Sequence, residues 1–143
     1  MIRWGAMTEE DETTRAVLAS NARFYRAFNQ GDSAAMGELW AARAPVACLH
    51  PGESLIVGRQ QVLRRWREIL ASRPAFTLRC DRPTVQVFGT TAIVYCYEGG
   101  NDEPAHLAVT NVFVREGDEW HMVHHQAGPM AVPLLDLPAK NLN

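Results

Sequence analysis

Leu107-Ala108-Val109-Thr110-Asn111-Val112-Phe113-Val114-Arg115-Glu116-Gly117-Asp118-Glu119-Trp120-His121-Met122-Val123-His124-His125 reads as a β-hairpin. Runs rich in β-branched and aromatic residues, 105–116 and 119–127, flank Gly117-Asp118, a pair that suits a tight turn because glycine tolerates positive φ. Moving upstream, Gly99-Gly100-Asn101-Asp102, Gly89-Thr90 and Pro83 delimit three further strands at 91–98, 84–88 and 76–82. The second half of the chain is therefore a five-strand meander.

The first half carries helical periodicity instead. Thr8 with Asp11 forms a loose capping-box signal, and Ala16, Val17, Ser20, Phe24, Ala27 and Phe28 recur at helical spacing to about Asn29. Gly31 supplies a left-handed stop, and Asp32 or Ser33 caps a second helix that turns Met36, Leu39 and Trp40 inward. Ala44-Pro45 breaks the pattern before a short strand, Val46-Ala47-Cys48-Leu49, which ends at His50-Pro51-Gly52, and Leu55-Ile56-Val57 is placed to pair back. Val62, Leu63, Trp66, Ile69 and Leu70 share one stripe of a third helix that must end before Pro74. Helices followed by a meander predict an α+β domain, three N-terminal helices packed on one face of a strongly curved, mostly antiparallel sheet.

Composition narrows the function classes. A chain of 143 residues, 47% hydrophobic and 21% charged, is the size and balance of one globular domain. Residues 8–128 form that domain, with 1–7 as a disordered or extended extension before a helix start at Met7, and 129–143 as an extended tail spaced by Pro129, Pro133 and Pro138. A formal net charge of -2 gives no footprint for nucleic acid or an anionic membrane. The basic run from Arg59 to Arg67 reads as the solvated face of the third helix. Cys48, Cys80 and Cys96 lack disulfide-framework or zinc spacing and read as thiols of a reducing compartment, the cytoplasm. Neither a signal peptide nor a membrane span is indicated.

The sequence contains no GxGxxG, Walker loop, GxSxG elbow or HExxH. His121, His124 and His125 resemble a metal cluster only on paper, since adjacent strand residues face opposite sides and His124 and His125 cannot enter one site. No metal and no cofactor is expected. Glu53 and Asp81 read as surface carboxylates.

Three segments carry a family resemblance: Phe24-Tyr25-Arg26-Ala27-Phe28-Asn29-Gln30-Gly31-Asp32, the Val46-to-Pro51 strand followed by Gly58-Arg59, and Thr110-Asn111-Val112-Phe113 leading to Trp120-His121-Met122-Val123-His124-His125. Their order over residues 8–128 is similar to the nuclear transport factor 2-like superfamily, in particular its SnoaL-like and ketosteroid-isomerase-like bacterial members. The resemblance implies a cone whose concave sheet face lines a mostly apolar pocket. It implies that Val109, Asn111 and Phe113 face that pocket together with Ile93, Tyr95 and Tyr97 on one neighbouring strand and Val123, His125 and Ala127 on the other. Phe24, Phe28, Trp40 and Trp66 would complete the wall from the helices.

Ketosteroid isomerases place a carboxylate base at the position matching His50, a protonated acid at that matching Asn111 and a tyrosine donor at that matching Phe24. All three differ here, so steroid isomerisation by that route is not implied. Tyr25, one helix position on, points about 100° aside. The residues that remain suggest His50 as a base, Asn111 as a donor to a carbonyl oxygen and His125 as a second proton-transfer group. One reading is an isomerase, cyclase or dehydratase acting by proton transfer on a small, largely apolar, carbonyl-containing ligand. The alternative is a non-catalytic dimeric binding or assembly module. Homodimerisation follows from counting apolar positions: helices cover only the concave face, leaving Val94, Cys96, Ala108, Val112, Val114 and His124 for a partner on the convex one.

Overall fold

Thr8 and Asp11 exchange side chain-to-backbone hydrogen bonds, completing the capping box that opens helix α1, Glu9–Gln30. Gly31 ends it with φ 64°, a left-handed conformation that costs a side-chain-bearing residue dearly. Asp32 then accepts from the Ala35 amide and caps helix α2, Ser33–Leu39. These features come from a computed structural model of the chain that describes residues 7–72 and 77–134. The remaining elements are β1 (Ala47–Leu49), β2 (Ile56–Val57), helix α3 (Arg59–Ala71), β3 (Arg79–Phe88), β4 (Thr91–Gly99), β5 (Leu107–Glu116) and β6 (Glu119–Pro129).

The six strands form one curved sheet in the order β2-β1-β6-β5-β4-β3. All neighbours are antiparallel except β1 and β6, which run parallel with Cys48 opposite His125. The three helices lie on one face, and α1 packs against β3, β4 and β6. Between the helices and the sheet lies the core, built around Val17, Phe24, Met36, Trp40, Cys48, Val62, Val94, Phe113 and Met122. The expected α+β architecture is therefore what the chain adopts.

Two bulges alter the expected strand pattern. Pro83 does not separate two strands: Arg79–Phe88 is continuous, with Asp81 opposite Tyr97 and Thr84 opposite Tyr95. Arg82 and Pro83 together face the single residue Cys96, and Arg82 takes φ 54°. A bulge of this kind absorbs a residue that has no amide to donate. In β6, Val112 pairs with His124 but Phe113 pairs with Met122, leaving Val123 as the extra residue.

The inner face of β4 is the opposite of the one anticipated. Ala92, Val94, Cys96 and Glu98 are buried, whereas Ile93, Tyr95 and Tyr97 lie on the outer face and Tyr95 is 40% exposed. On β5 the expected alternation holds, with Val109, Asn111 and Phe113 inward. Register explains both, because Val94 lies opposite Asn111 and directly opposed residues share a face.

Beyond β6 the chain continues alongside the residues that lead into β5. The Met130 amide donates to the His106 carbonyl and the Leu134 amide to that of Ala105, and Leu134 is buried. Residues 130–134 of the expected tail are tied to Ala105 and His106, and its continuation at 135–143, like residues 1–6 of the expected extension at 1–7 and the strand start at Phe76, lies outside the described residues. No helix among the described residues is long and apolar enough to cross a membrane.

Candidate functional site

Parallel pairing of β1 with β6 brings Cys48 beside His125, and strand alternation places His50, two residues on, on the same inner face. The next pairing, β6 with β5, sets His125 directly opposite Asn111. Three residues far apart in sequence thus converge. Their ring neighbours come from the helices: the His50 and Trp66 centroids are 4.7 Å apart, those of Phe24 and His125 4.8 Å, those of Trp66 and His125 5.8 Å, and those of His50 and His125 6.2 Å. Phe28 closes on Trp66 from the same side as Phe24.

A buried hydrogen-bond chain continues away from the imidazoles. His125 Nδ1 lies 2.6 Å from Asn111 Oδ1, Asn111 Nδ2 donates to Asn21 Oδ1 at 2.8 Å and to the Tyr25 hydroxyl at 3.4 Å, and the Tyr25 hydroxyl donates to Glu98 Oε2 at 2.6 Å. Because the Asn111 amide nitrogen already donates elsewhere, its oxygen accepts, and the His125 proton sits on Nδ1. Nε2 is left with the lone pair. Asn111 is 0% exposed and both its polar atoms are engaged by protein. It orients His125 and does not present an amide to a ligand, which replaces the oxygen-holding role expected of it.

The electrostatics follow from burial. Removal from water lowers the His125 pKa to about 3, with His50 and His124 adding repulsion, and it also lowers that of His50, where Arg65 adds to the effect and Glu53 opposes it. Both rings are neutral near pH 7, and the deeper burial of His125 makes it a weak base. Burial raises Glu98 to about 7, although the Tyr25 hydroxyl bond opposes this, and raises the Tyr25 phenol well above its ordinary value. The Cys48 thiol, 3.5 Å from His50 Nε2, is pushed up to about 12 by burial, so it stays protonated.

Sequence reasoning did not single out Asn21 and Glu98, and it turned Tyr25 aside. Tyr25 points inward, against expectation, because the curved sheet encloses α1 and buries Ser20, Asn21, Phe24, Tyr25, Ala27 and Phe28, a face wider than one amphipathic stripe. The Asn21-to-Tyr25 spacing of four was the available signal. Glu98 escaped notice because the phase of β4 was reversed.

Of the expected wall residues, Val109 and Phe113 are buried on the inner face, while Trp40 forms an isolated bridge with Met122 in the core. Val123 sits half-buried at the bulge. Ile93, Tyr95 and Tyr97 belong to no inner pocket. Tyr95 and Tyr97 instead line a groove of about 610 Å³ on the outer face with Thr84, Gln86, Thr110 and Gln126. That opening is on the opposite side of the sheet from the titratable cluster. His124 and His125 do face opposite sides, with His124 Nδ1 3.0 Å from the Ala47 carbonyl. Glu53 pairs with Arg65 and Asp81 with Arg79 near the surface.

Residues 17–133 match the SnoaL-like domain. The chain belongs to the SnoaL-like domain family. The solved structures it resembles include a "putative dehydratase" of the NTF2-like family from Streptomyces avermitilis, 31% identical, with a TM-score of 0.77 over 86% of this chain and 99% of that one. A "putative" calcium/calmodulin-dependent protein kinase type II association domain from Thiobacillus denitrificans is also 31% identical, with a TM-score of 0.70 over 79% and 94% of the two chains. Among curated proteins, F-box protein SKIP8 of Arabidopsis thaliana is 27% identical over 120 residues, which are 84% of this chain and 52% of the relative. The SnoaL-like chain thus spans about half the length of that plant protein.

Proposed function

We propose that the domain binds a small, largely apolar molecule bearing a carbonyl or hydroxyl group beside His50, Trp66 and His125, and moves a proton on it in an isomerase-, cyclase- or dehydratase-like reaction. The observation that carries this reading is the pair of neutral, buried imidazoles, one of them held in a single tautomer by Asn111. A neutral imidazole is a base, and titratable groups perturbed by burial and gathered in one place are a mark of functional sites. Trp66 adds a second support. Its indole Nε1–H is buried without a partner, a state that costs about 1–3 kcal/mol and is relieved by a ligand oxygen. In this reading Trp66 receives the oxygen, His50 takes the proton from the neighbouring carbon and returns it, and His125 accepts a hydrogen bond from the ligand at Nε2. The dehydratase-like neighbour from Streptomyces avermitilis agrees in reaction class. Free thiols at Cys48, Cys80 and Cys96 favour the cytoplasm.

The test is a thermal-shift screen of small carbonyl and hydroxy compounds, followed by kinetics on any hit that turns over. His50→Ala should lower turnover on the order of a hundredfold, as loss of a general base does. Trp66→Phe should weaken binding by about tenfold, one lost hydrogen bond to a buried donor. A hit whose affinity and turnover change less than about threefold in both variants sinks the assignment.

A second reading is favoured by one specific observation: no surface of Asn111 is open to a ligand. An interior closed at this point suits a non-catalytic dimeric binding or assembly module, and the similar structure from Thiobacillus denitrificans is named as a kinase association domain. A screen without hits, combined with a stable oligomer, supports this alternative.

A further inference from the structure

We propose that Cys80 and Cys96 form a peroxide-oxidisable dithiol whose disulfide closes across β3 and β4, directly behind the Tyr25–Glu98 pair. The proposal does not depend on the proton-transfer reading. Cys80 lies opposite Glu98, so Cys96, two residues before Glu98, shares its inner face. The two thiols stand against neighbouring side chains of α1, one turn apart. Asn21 Nδ2 donates to the Cys80 sulfur at 3.5 Å, and the Tyr25 hydroxyl lies 3.3 Å from that of Cys96.

The cysteines divide the labour that an oxidation step requires. Cys80 is half-buried and reachable, whereas Cys96 and Cys48 are 3% and 0% exposed. The neighbouring Cys96 thiol and the Asn21 amide lower the Cys80 pKa, against the opposing effects of burial and Glu98. The neighbouring Cys80 sulfur and burial raise that of Cys96. Cys80 is therefore the attacking sulfur and Cys96 the resolving one. Diagonal residues on adjacent strands ordinarily stand farther apart than a disulfide allows. Here the bulge lies between them: Arg82, at φ 54°, and Pro83 together face Cys96. With fewer ladder bonds to break, β3 can give at this point.

The chemistry balances with hydrogen peroxide as the oxidant. The Cys80 thiolate attacks one peroxide oxygen, the O–O bond breaks, and hydroxide leaves to become water, giving a sulfenic acid. The Cys96 sulfur then attacks the Cys80 sulfur. The S–S bond forms as the S–O bond breaks, and the departing hydroxide takes the Cys96 proton as a second water. Both thiols are oxidised by two electrons in total, and the peroxide is reduced. Closure withdraws both sulfurs from Asn21 and Tyr25, the groups that hold Asn111.

The experiment uses the reduced full chain, peroxide, a quench with iodoacetamide, and peptide mass spectrometry. Trypsin does not cut before proline, so the peptide from Cys80 to Arg115 contains both cysteines and no third. It should appear two hydrogens lighter, unalkylated, reversible by dithiothreitol, and monomeric on a non-reducing gel. Cys80 should react about tenfold or more faster than Cys48, as an accessible thiolate does against a buried thiol. Cys48→Ser should change nothing, Cys80→Ser should leave Cys96 reduced, and Cys96→Ser should leave a Cys80 sulfenic acid that dimedone traps. In the wild-type protein, over-oxidation of Cys80 with Cys96 still a free thiol, or a bond that forms only in denaturant, overturns the proposal even if the serine variants misfold.

Discussion

Glu98 and His125 sit at opposite ends of one hydrogen-bond chain, and burial acts on them in opposite senses. Glu98 is raised from 4.5 to about 7, so between those values the folded state holds a proton that the unfolded state has lost, and stability falls as pH rises through that window. His125 is lowered from 6.5 to about 3, so between those values the unfolded state holds the extra proton, and stability falls as pH drops below about 6.5. His50, also lowered, adds to the second slope. From about pH 4.5 to 6.5 the two trends oppose each other, and the wild-type profile should be shallow there. Glu98→Gln removes one of them. Its stability relative to wild type, measured by urea unfolding, should be about 2 kcal/mol or more higher at pH 8 than at pH 5. An equal difference at both pH values shows that Glu98 does not titrate as its burial requires. Tyr25→Phe should strand Glu98 without a donor and cost about 1–3 kcal/mol at pH 8, with little loss at pH 5. The chemistry at this scale was half legible. His50, Asn111 and His125 stood out in the sequence, whereas Tyr25 looked like a residue turned aside and Glu98 did not stand out.

At the scale of elements, the helices were legible and the strand phases were not. Thr8, Gly31 and Asp32 mark helix ends by local hydrogen bonding and local φ, and each stands where its chemistry indicated. Replacing Gly31 by Ala should cost about 1 kcal/mol or somewhat more from the left-handed backbone alone, since the nearest atom to an added Cβ, the Leu70 carbonyl oxygen, is 3.9 Å away. The bulge at Val123 makes a sharper prediction. It lets Trp120 and Met122 on one side and His125 and Ala127 on the other all face inward. Deleting Val123 restores strict alternation and must turn one of those pairs to the outer face. Burial of two large side chains or of the His125–Asn111 bond is then lost, and the thermal unfolding transition should lose its cooperativity or fall by more than about 10 °C. A deletion variant that melts like wild type removes the bulge from this role. Nothing in the alternation of residues 119–127 announces an extra residue, because a bulge is a property of the pair of strands.

For the whole molecule, the proposed homodimer needs a revised interface. Val94 and Cys96, counted for the outer face from sequence, are in the core. The outer face is instead a mixture of Val112, Ile93, Tyr95, Tyr97, Thr84 and Thr110, with the Tyr95 hydroxyl donating to Gln86. Aromatic residues with hydroxyl tips among small polar side chains suit an interface better than bulk solvent, and a symmetric pairing would bury the groove on this face. Sedimentation equilibrium at micromolar concentration should give twice the 16.0 kDa chain mass, and Val112→Lys should give a folded monomer. A monomeric wild-type chain at that concentration rejects this interface.

Local physics thus determined what sequence alone could convey. Caps, turns and helical stripes depend on residues a few positions apart, and they sufficed for three helices, a following meander and the α+β class. The family resemblance carried by the stretches from Phe24 and from Thr110 held as well. Tertiary structure alone decided which face each strand turns inward, since two bulges and the register between β4 and β5 reset the alternation. It also decided the composition of the site. The parallel β1–β6 pairing delivers His50 to His125, and the curvature of the sheet around α1 turns Tyr25 toward Glu98. Both depend on contacts between residues more than seventy positions apart, which no window of sequence encodes.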